Sequence, residues 1–482
     1  MLIGPIGLFG TTPAESMPML WIVVATYALL LVVCTVRIAG GGHSPAAAWA
    51  WLLAVWMLPV AGMTVYMMAA WQRAPSPCRC GGCRSAVESV VAGGCGALAT
   101  DGNSVALLND GGQMYPSLIH ALHRARRSIH LEYYIFVDDR IGTAIADILC
   151  RKVRAGVEVR LMYDAVGSLR LSRAMVRRLR DAGVEVRAFG RVRFPWLTPS
   201  FNIRNHRKIA VIDGRTAFIG GINIARRYLD GDELGRWRDE HLSIEGGAVA
   251  YLQRLFAADW CAAGGHPFDT ESRIAPEARI AAARGGAESA ATTGRGIGHE
   301  GVRVQIGWSQ TGPTRRTLAA AFMAAIMQAR SEIMISTPYF IPPQPLLQAL
   351  CTASACGVRV RLMVPMRGDM RAAVLAGESY FGELLAAGVE IYLYDCGFLH
   401  SKTMVIDSRI ASVGTANMDF RSLCTNWEVA AFVYDENFGR IAAATFERDL
   451  LGCRRLEPSE YDSRPLRRRI ACAFCRLFSP ML

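Results

Sequence analysis

Residues 205–214 read NHRKIAVIDG, and residues 399–408 read LHSKTMVIDS. In the first, Ile209 and Val211 mark a β-strand pattern, and His206 and Lys208 stand at i and i+2. Neighbours at that spacing share one face of a strand, so the imidazole and the ammonium project together. The second stretch repeats the arrangement, with His400, Lys402 and Asp407 spaced as His206, Lys208 and Asp213. One H-x-K-x4-D, closed by an Asp-Gly turn at Asp213 and Gly214, is an ordinary coincidence. Two copies at matching places in a repeat are not.

The surrounding sequence supplies the repeat. The first half has a strand pattern over 129–136, a helix-period run over 141–153, a strand over 157–164 and a helix ending near Gly183. VEVRAF and then NHRKIAVIDG follow. The second half runs SEIMISTPYFI, a helix over 346–353, VRVRLMVP, a helix ending near Gly388, VEIYLYD and LHSKTMVIDS. Alternating strands and helices predict an α/β fold, with a mixed or largely parallel sheet covered by helices in each half. Two similar halves imply a pseudo-two-fold relation, and if their matching faces meet, both His/Lys pairs share one cleft. The expected lobes are 104–261 and 301–453. Between them, 262–300 is rich in Gly, Ala, Ser and Thr and reads as a mobile loop or a flap over the site.

Each copy continues with small and amide residues: Gly220, Gly221 and Asn223 in GGINI, and Gly414, Thr415 and Asn417 in GTANMD. Small residues admit close backbone approach, and Asn and Thr side chains donate hydrogen bonds. With two lysines they would surround an anionic tetrahedral centre, for which phosphate is the obvious candidate. A neutral imidazole attacks phosphorus while an imidazolium protonates the departing oxygen, so a phosphohistidine divides the exchange into two steps. Lys208, Lys402, Asn223 and Asn417 would hold the non-bridging oxygens. The lysines already supply positive charge, so this chemistry demands neither a metal nor a cofactor. Each imidazole needs an orienting partner. Asp239 in WRDEH and Glu428 in NWEV are the candidates, one for each ring, with the matching open. Asp213 and Asp407 belong to the repeated catalytic signature and are suited to fixing strand-turn geometry or to forming salt bridges behind the site.

Length and composition set the context. At 482 residues, with 52% hydrophobic residues and a net charge of +12, the chain is an ordered, multi-domain protein. A basic surface attracts nucleic acid and anionic lipid alike. The N-terminus separates them. Residues 18–36 and 46–71 hold nineteen and twenty-six residues without a charge, long enough to cross a hydrocarbon layer of roughly 30 Å. No basic region precedes Pro18, as a signal peptide would need. The expectation is a transmembrane hairpin within residues 1–74. Arg73, Arg79 and Arg84 follow it, favouring a cytoplasmic body.

The connector 75–103 carries Cys78, Cys80, Cys83 and Cys95, whose C-x-C-x2-C run lacks the paired C-x2-C spacing of a zinc ribbon. It reads as an exposed thiol-rich linker, with a labile metal site as the alternative. A cytoplasmic body is also no place for a disulfide framework.

These features resemble the phospholipase D superfamily, whose duplicated signature appears here as HRKIAVID and HSKTMVID. More narrowly, they resemble bacterial cardiolipin synthases of the two-motif type, through EYYIF (132–136), NIRNHRK (202–208), GGINI, WRDEH, PYFIP (338–342), NMDFRS (417–422) and the terminal LFSPML. The resemblance implies that His206 is the nucleophile and His400 the general acid and base. It also implies that two phosphatidylglycerol molecules become cardiolipin and glycerol at the bacterial inner membrane. Gly221 and Thr415 stand where relatives often carry Ser, so a hydroxyl contact is expected to be missing in the first half and kept in the second.

A membrane tether brings lipid to the cleft in place of other nucleophiles. The tail 454–482 adds Arg464, Arg467, Arg468 and Arg469, expected near lipid phosphate, and Ile470, Phe474, Leu477 and Phe478, expected toward acyl chains or packed on the body. The competing readings are a phospholipase D-type hydrolase or transphosphatidylase with another lipid donor, a nuclease, and a non-catalytic lipid-binding scaffold. No nucleic-acid module is evident, and the hairpin favours anionic phospholipid.

Overall fold

The computed structural model describes residues 13–40, 45–58, 62, 63, 66, 83–191, 203–284, 299–310 and 316–481. They divide into two compact units, 1–73 and 74–482.

In the smaller unit the first expected span lies within a helix over Pro13–Gly40, and the second is helical over Pro45–Met57. Thirteen residues of helix reach only about 20 Å. Much of the remaining span lies outside the described residues. Cys34, Ile38, Val55, Met63 and Tyr66 form a small core, with the Trp51 and Tyr66 rings edge-on at 5.4 Å. Among the described residues no helix is long and apolar enough to cross a membrane.

The larger unit is built on strands β1 (Thr100–Leu108), β2 (Ser128–Tyr133), β3 (Glu158–Asp164), β4 (Glu185–Phe189), β5 (Lys208–Ile212), β6 (Thr216–Gly220), β7 (Trp237–Arg238) and β8 (His241–Glu245). The second half adds β9 (His299–Ser309), β10 (Glu332–Ser336), β11 (Phe340–Ile341), β12 (Arg359–Pro365), β13 (Glu390–Tyr394), β14 (Phe398–Leu399), β15 (Thr403–Ile406), β16 (Ile410–Gly414), β17 (Met418–Asp419), β18 (Glu428–Tyr434) and β19 (Cys453–Arg455). One fifteen-stranded sheet runs β19-β13-β12-β10-β15-β16-β18-β9-β1-β8-β6-β5-β2-β3-β4. From the central β9–β1 pair outward the two arms match strand for strand, apart from the added edge β19. In each arm the outer three strands of the repeat are parallel and the inner ones antiparallel. The sheet is mixed, and the repeat is a structural one.

Strand alternation sorts the core. Ile209 and Val211 join a cluster with Leu242, Val304, Val405 and Val429, drawn from both arms, whereas Ala210 and Ile212 join Leu118, Ile145 and Leu149 of the covering helices. In the second arm Val405 belongs to the shared core, while Met404 and Ile406 pack with Leu318, Leu347 and Phe381. The arms therefore meet through one continuous apolar layer, with helices outside each.

Two segments read as connections are structured. Within 75–103 lie a helix over Ala86–Cys95 and the start of the central strand β1. A bulged register against β9 disguises this strand: buried Asn103 donates to the Thr100 and Val302 carbonyls at 2.7 and 3.0 Å. Within 262–300, helices over Thr270–Arg273 and Pro276–Arg284 bury Ile274, Ala275 and Ala278. Ala275 N donates to Gly214 O at 3.1 Å. That part packs at the Asp213–Gly214 turn rather than as a flap over the histidines, and 285–298 lies outside the described residues. Cys78 and Cys80 also lie outside them, while Cys95 Sγ contacts Trp308 O at 3.2 Å.

The terminal helix Leu466–Arg476 docks by ion pairs. Arg468 reaches Glu378, Arg476 reaches Glu383 and Cys472 is buried. Ile470, Phe474 and Leu477 face outward, 59%, 60% and 75% exposed. Packing on the body thus accounts for the polar face of this helix and leaves its apolar stripe in the open.

Candidate active site

His206 lies just before β5, and Lys208 opens that strand. The chain entering β5 pairs with the chain entering β18 of the other arm: His206 N donates to Trp427 O and Trp427 N to Arg204 O, both at 2.9 Å. The second copy does the same in reverse. Strand β14 pairs in parallel with β7, Phe398 N donates to Arg236 O at 2.8 Å, and His400 N donates to Arg238 O at 2.7 Å. Each histidine is delivered beside the carboxylate that follows its partner segment. His206 Nδ1 lies 3.0 Å from Glu428 Oε2, and His400 Nδ1 lies 2.5 Å from Asp239 Oδ2. The pairs are crossed, each ring oriented by the opposite arm.

Both carboxylates are almost fully buried. A carboxylate only accepts, so each holds the ring proton on Nδ1 and leaves Nε2 with its lone pair free. Lys208 Nζ donates to the His206 carbonyl at 2.5 Å, and Lys402 Nζ donates to that of His400. Lys402 Nζ is also 2.8 Å from His400 Nδ1 and 3.6 Å from Asp239 Oδ2. Because Nδ1 cannot donate to Asp239 and accept from Lys402 at once, the carboxylate, as the charged acceptor, takes the ring proton's bond.

Burial sets the charges. It lowers the pKa of His206, with Glu428 opposing, and burial, then Lys402 and Lys208, hold His400 well below the usual imidazole range. Burial also pulls Lys208 down to about 7 and lowers Lys402. The charges of the two copies act on each other: Lys402 depresses His206, and His206 depresses His400. With neutral rings the two lysines are balanced by the two carboxylates, and a phosphate anion entering this dry site would favour the charged forms of the lysines and imidazoles that burial disfavours.

The carboxylates differ. Burial pushes Glu428 up, but His206, Lys208 and the Thr415 hydroxyl more than offset it and leave its pKa low. Thr415 Oγ1 donates to Glu428 Oε2 at 2.5 Å. Burial raises Asp239, and Lys402 opposes it only in part. Its counterpart to Thr415 is Gly221, where a Cβ would stand 2.0 Å from Asp239 Oδ1. The expected asymmetry of one missing and one retained hydroxyl is present, though that hydroxyl supports a carboxylate rather than facing the cleft. Asn223 accepts from Ile135 N at 2.9 Å and donates to Tyr228 Oη at 2.6 Å, while Asn417 donates to Asp419 Oδ2 at 2.9 Å. In this conformation both amides hold the chain around the site.

Asp213 and Asp407, grouped with the catalytic residues in the sequence, sit at the far ends of β5 and β15. Asp213 accepts from Arg126, Arg127 and Ser128 N–H groups. Asp407 accepts from the N–H groups of Arg330, Ser331 and Glu332 and from the Ser331 hydroxyl. Both adopt positive φ, +54° and +50°. They pin the starts of β2 and β10, which is the strand-turn role, and do not face the imidazoles.

The fold adds residues that the motif did not single out. Tyr134 meets the His206 ring edge-on at 4.7 Å, while Trp237 and Tyr228 lie 5.1 and 5.7 Å from His400. Arg207, fully buried, pairs with Asp259 and donates to Glu428 O at 3.3 Å and Ser309 O at 3.0 Å, stitching the arms together behind His206. EYYIF and NHRK contain Tyr134 and Arg207, but which arm each would touch was not readable.

Residues 118–260 and 322–450 match the family described as "Cardiolipin synthase, PLD-like domain", and residues 29–70 match "Phospholipase_D-nuclease N-terminal". Cardiolipin synthase 2 of Bacillus anthracis is 44% identical over 378 residues, 78% of this chain and 70% of that protein. Cardiolipin synthase of Geobacillus sp. (strain WCH70) is 40% identical over 379 residues, 78% of this chain and 72% of that one. Among solved structures, phosphatidylserine synthase of Haemophilus influenzae Rd KW20 shares the fold, with a TM-score of 0.56 at 18% identity over 78% of this chain and 95% of that chain. With a duplicated lobe, crossed histidine–carboxylate pairs and this level of identity over most of its length, the chain belongs to the cardiolipin synthase family of phospholipase D-like proteins.

Proposed function

We propose that this chain is a phosphatidyltransferase that converts two phosphatidylglycerol molecules to cardiolipin and glycerol through a phosphohistidine on His206. The observation that carries the reading is the crossed pairing, which frees Nε2 of both rings beside the two buried lysines. His206 Nε2 attacks phosphorus, the bond to the glycerol oxygen breaks, and His400 Nε2–H gives its proton to that oxygen. The hydroxyl of a second phosphatidylglycerol then loses its proton to His400 and attacks the same phosphorus, and the P–N bond breaks to restore His206. His400 is held neutral by burial and the lysines. The phosphodiester anion offsets that positive field and restores the proton the first step requires. Lys208 and Lys402 stabilise the charge on the non-bridging oxygens.

The acceptor is a lipid alcohol, so the reaction belongs at a bilayer. We assign residues 1–74 to a hairpin anchor in the bacterial cytoplasmic membrane, with the body on the cytoplasmic side. The charge-free runs, the match over 29–70 and the arginines after the second run support this. The outward stripe of Ile470, Phe474 and Leu477 suits an interfacial helix, with exposed Arg467 and Arg469 toward lipid phosphate. Arg468 is committed to Glu378.

The test is the purified full chain with phosphatidylglycerol labelled in its acyl chains. Cardiolipin with stoichiometric glycerol supports the transferase, and phosphatidic acid as the main product makes it a hydrolase. His206→Ala should form no product, and the labelled adduct trapped during turnover should map to His206. An adduct on His400 would reverse the two roles.

A further inference from the structure

The loops that leave the parallel strands β3 and β12 occupy equivalent places in the two arms, and both approach the site. In the first arm Asp164 accepts from Val166 N and Gly167 N, each at 2.9 Å, and from Asn205 N at 3.1 Å, so one carboxylate ties the loop to the residue before His206. Gly167 lies against Tyr134, where a Cβ would stand 2.6 Å from the ring that abuts His206. In the second arm Asp369 accepts from Tyr339 Oη at 2.5 Å. Lys402, depressed chiefly by burial, is pulled the other way by Asp239, Glu428 and, more weakly, Asp369.

Both tips carry apolar side chains in the open. Leu169 is 79% exposed, Met366 40% and Met370 49%. Exposed arginines accompany them: Arg170 and Arg173 in the first arm and Arg371 in the second, with no acidic partner among the described residues. Large apolar side chains held in water beside cationic ones are the composition of a surface that enters the headgroup layer. Neither the hairpin nor the terminal helix includes these loops.

We propose that the segments 165–173 and 366–371 are paired lips of the site that dip into an anionic phospholipid bilayer, Leu169, Met366 and Met370 among the acyl chains and Arg170, Arg173 and Arg371 at the phosphates. This rests on the lipid-transferase reading and extends it. With both lips in the interface, a headgroup phosphate reaches the lysines without its lipid leaving the bilayer. A desorption step, costly in proportion to the acyl carbons exposed, is avoided.

The test uses the full chain in vesicles of phosphatidylcholine and phosphatidylglycerol, with p-benzoylphenylalanine replacing Leu169, Met370 or, as a control beside the distant Ser408 turn, Ile441. Irradiation should attach lipid at 169 and 370 and not at 441. Absence of lipid adducts at both lips, or equal labelling at 441, overturns the proposal. As a second readout, Leu169→Glu with Met370→Glu should lower the ratio of turnover on vesicles to turnover on monomeric short-chain phosphatidylglycerol at least about tenfold, a loss of roughly 1.4 kcal/mol of interfacial stabilisation. An unchanged ratio overturns it. Cross-linking is independent of turnover, so a chain that makes no cardiolipin in either format would sink the transferase reading while the lipid adducts still decide the lips.

Discussion

His206 and Glu428 are 222 residues apart in the chain and 3.0 Å apart in the fold. His400 and Asp239, 161 residues apart, make the reciprocal contact. Neither arm contains a complete oriented imidazole, so the candidate site exists only across the pair of arms. The antiparallel β1–β9 junction and the apolar layer between the arms are what hold it together.

Replacing the orienting carboxylate tests this directly. Glu428→Gln keeps the shape but removes the charge that holds the Nδ1 proton and balances the ring as it becomes cationic. We expect kcat to fall by about 10⁴-fold with KM changed little, as for a carboxylate behind a catalytic imidazole. Asp239→Asn should be similarly severe. A variant within threefold of the wild type would show that the crossed contact does not serve the reaction.

The two carboxylates should respond differently to their neighbours. Thr415→Val removes the hydroxyl bonded to Glu428 and leaves a buried acceptor short of a donor. This should cost about 1–3 kcal/mol of stability, read in a denaturant titration. Gly221→Ala places a methyl group 2.0 Å from the present position of Asp239 Oδ1. Asp239 must then rotate away from His400, so activity should drop at least about tenfold, the effect of a misplaced catalytic group. An unaltered rate would mean that the carboxylate finds a second route to Nδ1.

Asp407 should matter to stability rather than to chemistry. Asp407→Ala loses four accepted hydrogen bonds and leaves an alanine at positive φ. We expect about 3 kcal/mol of destabilisation, with the folded fraction keeping its specific activity within a few-fold. Burial raises the Asp407 pKa, but those bonds win and hold it below its usual value. Its contribution is therefore present above the unfolded pKa and lost as pH falls through the lower folded one. In the variant, acid destabilisation below about pH 4 should be shallower. A specific activity that collapses along with stability would instead place Asp407 in the reaction.

The pH dependence follows from His206 and Lys208. Burial lowers the His206 pKa from the ordinary imidazole value, so its neutral form is favoured toward acid pH. Lys208, pulled down to about 7 by burial, loses its charge above that point. The kcat/KM profile should fall on its alkaline side near pH 7, and the matching limb of kcat should lie higher, because bound phosphate favours the ammonium. Lys208→Arg should remove the limb, since guanidinium stays charged. For stability, the folded lysine binds fewer protons than the unfolded one between about pH 7 and 10.4, so its contribution rises with pH across that window. A flat kcat/KM profile from pH 6 to 9 would refute the assignment.

Much was legible in the chain itself. A period of two placed each His/Lys pair at the entry to a strand, although only Lys208 lies within one, and the order of strands and helices, repeated, implied the matched arms. Asp239 and Glu428 were identifiable as the orienting carboxylates because an imidazole at phosphorus needs one. Local chemistry and spacing carry that information. The pairing of each ring with the other arm's carboxylate was not legible, since it depends on β14 meeting β7 and on Asn205 meeting Trp427, contacts between segments far apart in sequence. Strand β1 was hidden for a related reason: TDGNSVALL lacks clean alternation, because its bulge needs Asn103 and Gly102 and its place at the centre of the sheet comes from partners in both arms. Sequence determined which candidate groups the chain offers and the fold that carries them. Only the tertiary structure decided who faces whom, because register between distant strands is set by the packing of a whole apolar layer and not by any neighbouring residue.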